Sequence, residues 1–250
     1  MKTYCCFLFA ILFTLPAMGQ DMTTIDKKLA ADFEKVNRMF QQEKIDDDSL
    51  EVANIVFETN LLKVLNDFPE SLEYHFPKLS RELGIVSSPD KKLRAYSWNT
   101  NMGGTMKDFQ TIFQYRDDNI VKAQLFTGEI GDEEIYYCTD IFQVKTRKGI
   151  VYMPLTFMTG TSKYHYQAVK FFKIDNGALN SASILVTEDG KVNEYGVDYI
   201  VYWNEADKPD KVIDYDPKEK ILKFALTDDQ QNVLNTFDYY KFDGENFRKK

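Results

Sequence analysis

Thiol, imidazole and carboxylate groups carry out much enzyme chemistry, and this chain is poor in the first two. Three cysteines (Cys5, Cys6 and Cys138) and two histidines (His75 and His165) are spread over 250 residues. Cys138 lies in Tyr136-Tyr137-Cys138-Thr139-Asp140, and a nucleophilic thiol there would need a histidine to take its proton. Neither histidine has a local context that marks it for that task, and a lone cysteine in an aromatic strand ordinarily packs as a small hydrophobe. Zinc calls for three or four ligands, and no His or Cys pair stands at i, i+3 or i, i+4. Carboxylates are abundant instead. Asp214 with Asp216, Glu194 with Asp198, or Glu133 with Glu134 could divide the acid and base roles of a glycosidase. Spacing along a chain does not set separation across a cleft, so a turn or a solvated face is the simpler reading of each pair. Asp214-Tyr215-Asp216 runs into Pro217-Lys218 rather than completing a calcium loop. Gly103-Gly104-Thr105 lacks the Gly-Lys-Ser/Thr of a phosphate loop. Neither a metal nor a cofactor is expected.

Recognition chemistry is easier to find than catalysis. In Lys91-Lys92-Leu93-Arg94-Ala95-Tyr96-Ser97-Trp98, strand alternation places Arg94, Tyr96 and Trp98 on one face and Leu93, Ala95 and Ser97 on the other. A flat aromatic beside a guanidinium suits a sugar ring or a partner's anchor residue, which makes these three the candidate binding residues. The competing reading buries Tyr96 and Trp98 in the core, where large aromatics usually contribute most, and lets Arg94 cover the rim with its stem.

The elements that would position these groups divide into two regions. Ile25, Leu29, Phe33, Val36 and Phe40 recur at helical spacing and predict an amphipathic helix from Thr24 to about Glu43. A second helix is expected from Asp48, with Glu51 closing a capping-box exchange, and its apolar residues run from Val52 to Phe68. A third, shorter helical piece holds Leu72, Phe76, Leu79 and Leu83, is interrupted by Pro77 and ends at Gly84. Beyond Ser87-Ser88-Pro89-Asp90 the periodicity changes to alternation, with β-branched and aromatic segments separated by short turns such as Arg147-Lys148-Gly149, Asp175-Asn176-Gly177 and Glu188-Asp189-Gly190. Strands are expected at Lys92–Trp98, Phe109–Tyr115, Ile120–Phe126, Glu134–Lys145, Ile150–Met158, Tyr164–Ile174, Leu179–Val186, Val192–Trp203, Lys211–Asp214, Ile221–Leu226 and Val233–Phe242. In Val192–Trp203 the better core face is Val197, Tyr199, Val201 and Trp203, and in Tyr164–Ile174 His165 falls on the wet face. The fold class is α+β: N-terminal helices over residues 20–87, then an antiparallel β-meander over 88–250 that forms a sandwich, a barrel or an irregular propeller-like sheet.

Met1 to Gly19 reads as a secretory signal, with Lys2 as the positive start, Cys5–Leu15 as the apolar run and Ala17-Met18-Gly19 as the cleavage site. The run is too short to span a bilayer, which takes about 20 residues. Its removal would take Cys5 and Cys6 with it, so the mature chain would hold no internal disulfide. Cys5 and Cys6 precede the cleavage site, which argues against a lipid-anchored form. Loss of Lys2 would carry the charge from −8 to −9, unsuited to a surface that neutralises phosphates, so nucleic acid is not an expected partner.

Ser88-Pro89-Asp90-Lys91-Lys92-Leu93-Arg94-x-Tyr96-Ser97-Trp98 before Gly103-Gly104-Thr105, together with Tyr240-x-Phe242-Asp243-Gly244-x-x-Phe247, resembles secreted proteins of Bacteroidetes-type bacteria that have no settled function. The resemblance implies export and a helix-then-strand build, and it carries no catalytic residues. Given that origin, Asp48-Ser49-Leu50 is similar to the short O-glycosylation acceptor of such bacteria. The expected function is an exported, non-catalytic binding or interaction module in the periplasm, on the cell surface or outside the cell, with a protein or carbohydrate ligand. A hydrolase that acts on glycans or cell-wall material through a carboxylate pair is the alternative.

Overall fold

The computed structural model describes residues 21–42, 46–104, 106–126, 136–161, 163–201 and 212–250; the leader assigned to residues 1–19 lies outside them. Helical spacing near the N-terminus produces α1, Met22–Phe40, which buries Ile25, Leu29, Phe33 and Val36. Helix α2, Asp47–Asp67, starts one residue earlier than the capping-box reading and is capped by Asp46. The Asp46 carboxylate accepts the Ser49 hydroxyl at 2.6 Å rather than a backbone donor. Asp47 and Asp48 stand in the first turn, where they complement the helix dipole. Leu50, Phe57, Leu61 and Leu65 form its buried face, while Val52, Ile55 and Val56 stay exposed.

The expected third helix is replaced by two 3-10 turns, Pro69–Leu72 and Leu79–Arg81. The reason is local: Pro69 and Pro77 lack donors, and Phe76 takes a left-handed φ of 48°. Asp26, fully enclosed, secures the second turn to α1 by accepting the backbone N–H of Lys78 and of Leu79, both at 2.9 Å. Gly84 does not cap a helix but opens a strand, and a Cβ at that position would collide with the Tyr137 hydroxyl.

The strands of the first sheet are β1 (Gly84–Ser87), β2 (Leu93–Asn99), β3 (Phe109–Asp117) and β4 (Ile120–Leu125), antiparallel and in sequence order. Next along the chain come β5 (Tyr137–Thr146), β6 (Gly149–Thr159), β7 (Tyr164–Lys170), β8 (Phe172–Asp175) and β9 (Ala178–Ser181). The remainder are β10 (Leu185–Thr187), β11 (Gly190–Val192), β12 (Glu194–Ile200), β13 (Ile213–Asp216), β14 (Ile221–Thr227), β15 (Val233–Phe242) and β16 (Phe247–Lys249). The second sheet is ordered β12-β7-β6-β8-β9 with β5 on the other edge of β6, and the third β11-β10-β16-β15-β14-β13. Among the described residues the architecture is α+β with a β-rich majority, in three sheets of which none closes into a barrel.

Two features depart from a simple antiparallel meander. The segment Tyr164–Ile174 breaks at Phe171, whose N–H turns to the Asn193 carbonyl at 2.9 Å, so that β7 pairs with β12 and β8 with β9. The C-terminal strand β16 enters between β15 and β10 and pairs with β10 in parallel, Leu185 opposite Phe247. Long-range insertion of this kind leaves no periodic trace in the sequence.

Three apolar cores separate helices and sheets into layers. The first joins both helices to Tyr96, Trp98 and Ile112 of the first sheet. In the second, Leu93, Ala95, Phe113 and Tyr115 meet Cys138, Ile141 and Tyr152 of the second sheet. The third lies between the second and third sheets, where Met153, Val169 and Val197 meet Leu185, Leu222, Phe224 and Phe247. Strand β2 is therefore covered on both faces. The boundary expected at residues 87/88 falls between β1 and its hairpin partner β2, and the helices share a core with the sheet that follows it.

Candidate functional site

The Arg94-Tyr96-Trp98 face points into the helical core, which corrects its assignment as a binding surface. Exposure is 6% for Arg94, 0% for Tyr96 and 1% for Trp98. Trp98 meets the Phe57 ring edge-on at 5.2 Å. Arg94 Nη1 donates to the carbonyls of Ser71 (3.2 Å), Leu72 (3.1 Å) and Tyr74; the Ser71 carbonyl also accepts the Tyr74 N–H at 3.3 Å. The guanidinium carbon lies 5.6 Å from the Phe76 ring centroid and 5.3 Å from that of Tyr96. Tyr96 donates to Gln114 Oε1 at 2.9 Å, and Gln114 Nε2 reaches Ser71 Oγ at 2.7 Å and the Leu65 carbonyl at 2.8 Å. Burial raises the Tyr96 phenol, although the Arg94 charge works against the rise. Arg94 is thus a structural clamp between β2 and the chain after α2.

The other chemistry-bearing residues also take structural places. Cys138 is enclosed, with its backbone N–H on Ser97 Oγ at 3.0 Å and its thiol on the Asp140 carbonyl at 3.3 Å; burial pushes the thiol well above its usual range. His75 is exposed. His165 leaves the wet face expected for it: half-buried, it stacks on Phe157 at 5.2 Å and approaches Tyr199 at 5.7 Å. Asp216 accepts the backbone N–H groups of Lys218 (2.8 Å) and Glu219 (3.0 Å), and these bonds lower its pKa. Glu194 forms an ion pair with Lys170 and accepts the Tyr166 hydroxyl. Burial, followed by the Glu194 charge, raises the Tyr166 phenol. Glu133 and Glu134 lie outside the described residues, as does Thr105 of the glycine pair's loop.

A different set of residues forms a concavity of about 690 Å³ at one end of the third sheet. Pairing explains how it forms. Leu185, Phe247 and Phe242 make one buried row across β10, β16 and β15. Two residues along each strand, on the same face, stand Thr187, Lys249 and Tyr240, and one step further along β15 stands Asp238. The inner face of the sheet therefore continues beyond the hydrophobic core as a polar floor. Tyr195 of β12 packs over it, with ring centroids 4.8 Å from Phe224 and 6.0 Å from Tyr240. The β10–β11 turn supplies Glu188 and Asp189, and β16 supplies Arg248.

The charges in the groove are unevenly paired. Lys249 binds Asp238 at 2.7 Å, which raises the lysine's pKa, and Arg248 Nε binds Asp243 of the adjoining turn at 2.8 Å. Glu188 and Asp189 have no ion-pair partner among the described residues. Burial, assisted by Tyr195, Asp238 and Glu188, pushes Tyr240 up to about 12. At neutral pH the Tyr240 phenol is protonated and hydrogen-bonded to Tyr195, so the floor presents this tyrosine pair flanked by carboxylate acceptors and an ammonium. Volume and lining match a site for a small polar ligand. In the sequence Glu188-Asp189 reads only as a hairpin turn and Tyr240 only as part of a closing motif, because the parallel β10–β16 pair that unites them has no local signal.

The chain matches no protein-family model, and no curated protein matches it either.

Proposed function

We propose that the protein is an exported, non-catalytic binding module that takes a polyhydroxylated ligand, a saccharide, in the groove lined by Tyr195, Tyr240, Glu188, Asp189, Asp238 and Lys249. The observation that carries this reading is the composition of the floor: phenol donors, carboxylate acceptors and ring surface converge in a space of about 690 Å³. Sugar hydroxyls donate to carboxylates and accept from phenols and ammonium groups, while their C–H faces lie against aromatic rings. The leader features of residues 1–19 support export to the periplasm, the cell surface or beyond, as does the resemblance to secreted bacterial proteins. No described helix is long and apolar enough to cross a membrane.

Calorimetric titration of the mature chain with soluble fragments of cell-wall and plant polysaccharides tests the reading. Saturable binding that weakens about tenfold in Glu188→Gln or Asp238→Asn, in line with loss of one hydrogen bond to a charged group, supports the groove. Binding that is unchanged in both variants removes it. Intact-mass analysis of exported material should find the chain beginning at Gln20, and retention of residues 1–19 would be incompatible with a cleaved leader.

A hydrolase is the second reading, because two carboxylates, Glu188 and Asp238, line the same groove. Glycan turnover abolished by Asp238→Asn, with binding retained, would replace the binding module with this enzyme.

A further inference from the structure

A second concavity, separate from the groove and independent of its ligand, collects the opposite charge. It measures about 140 Å³ and lies where the β5–β6 turn meets β8, β11 and the β15–β16 turn. Arg147 and Lys148 come from the first turn, Lys173 from β8 and Lys191 from β11; Glu245 is the one carboxylate in the lining. Glu245 reaches Arg147 at 3.4 Å, and both side chains are largely exposed, a geometry that contributes little. Lys148, Lys173 and Lys191 have no carboxylate partner among the described residues. Four cations against one anion stand here in a chain whose formal charge is −8.

A buried amide adds an observation that does not depend on charge. Asn246 is only 6% exposed. Its main chain is fully used: the N–H donates to Asp243 Oδ1 at 2.8 Å, and the carbonyl accepts the Asp243 N–H at 2.9 Å. Its side-chain amide hydrogen-bonds no described residue and lines the depression. The residue is held in place by its main chain while the amide stays open to a space ringed by ammonium groups, so it is free to donate to a ligand there. That space suits one compact ligand. Lysines supply the point charges suited to such an anion, and the amide supplies a directional donor.

We propose that this depression is a binding site for a tetrahedral oxyanion, a sulfate or phosphate group, held by Lys173, Lys191 and Lys148 with the Asn246 amide as its directional donor. Nuclear magnetic resonance titration of the full mature chain tests it, with the Asn246 side-chain amide as reporter and sodium chloride holding ionic strength constant. The probes are inorganic sulfate, inorganic phosphate and glycerol phosphate. Saturable shifts of that amide are expected, with affinity at least tenfold lower in the double variant Lys173→Gln/Lys191→Gln and higher in Glu245→Gln. Lys173 is half-buried and Lys191 exposed, and well-dispersed spectra confirm that the variant stays folded. Equal affinity for phosphate and its ester would assign the site to the free ion, and tighter ester binding to a group carried on a larger molecule; both support the site. Shifts that fail to saturate, or that match chloride alone or persist unchanged in the double variant, overturn it.

Discussion

Arg94 is the residue at which the two readings of the β2 face predict opposite results. As an exposed recognition residue it would be replaceable with little effect on stability; as the clamp observed here it would not. Arg94→Ala removes one nitrogen shared among three carbonyls, counted as a single charge-assisted bond of about 1.5–3 kcal/mol. It also takes the donor from the Leu72 and Tyr74 carbonyls, at about 1–3 kcal/mol, while Ser71 keeps the Tyr74 N–H, and it ends the contact with the Phe76 and Tyr96 rings, about 0.5–2 kcal/mol. Relief from burying a guanidinium that has no carboxylate partner offsets part of this. The expected net loss is about 3–5 kcal/mol, or about 6–20 °C in midpoint for a chain of this size. Arg94→Met keeps the apolar stem and should lose less, about 1–3 kcal/mol. Urea denaturation followed by tryptophan fluorescence measures both, since Trp98 is enclosed in the helix–sheet core. An Arg94→Ala variant within about 1 kcal/mol of the parent, the range of a surface change, would refute the clamp. A stable variant that had also lost saccharide affinity would restore the binding face.

Two further outcomes follow from the buried titratable groups. The Cys138 thiol, raised by burial, should resist alkylation in the native protein at pH 8 and react fully in denaturant; rapid native labelling found by peptide mass would contradict its enclosure. Tyr240 holds its proton more tightly folded, at about 12, than unfolded, at about 10, so its contribution is complete below pH 10 and is lost as pH rises towards 12. Tyr240→Phe should therefore flatten the alkaline loss of stability over that interval, and superimposable curves for the two proteins would refute the assignment.

Local pattern was enough to place most elements. Apolar spacing located α1 and α2, because a helix must turn one stripe toward its neighbours whatever those neighbours are. Turn chemistry located the hairpins, since Asn176 and Gly177 both take the left-handed φ that a tight turn demands. In β12, Val197 and Tyr199 of the expected face pack into the third core together with Tyr195, Trp203 of that face lies outside the described residues, and Ile200 of the opposite face is buried as well. The character of β2 was not legible. Alternation separates two faces but does not say whether a second layer covers the outer one, and here helices cover one side and the second sheet the other. His165 was misplaced for a related reason: its exposure depends on Phe157 and Tyr199, which neighbouring strands bring to it. Both concavities depend on contacts far apart in the chain. The groove exists because β16 inserts beside β10, and the basic depression because the β5–β6 and β15–β16 turns meet near β8 and β11. Short-range sterics and periodicity determined the elements, while burial, partnership and the convergence of charges came from long-range packing that the order of residues does not display.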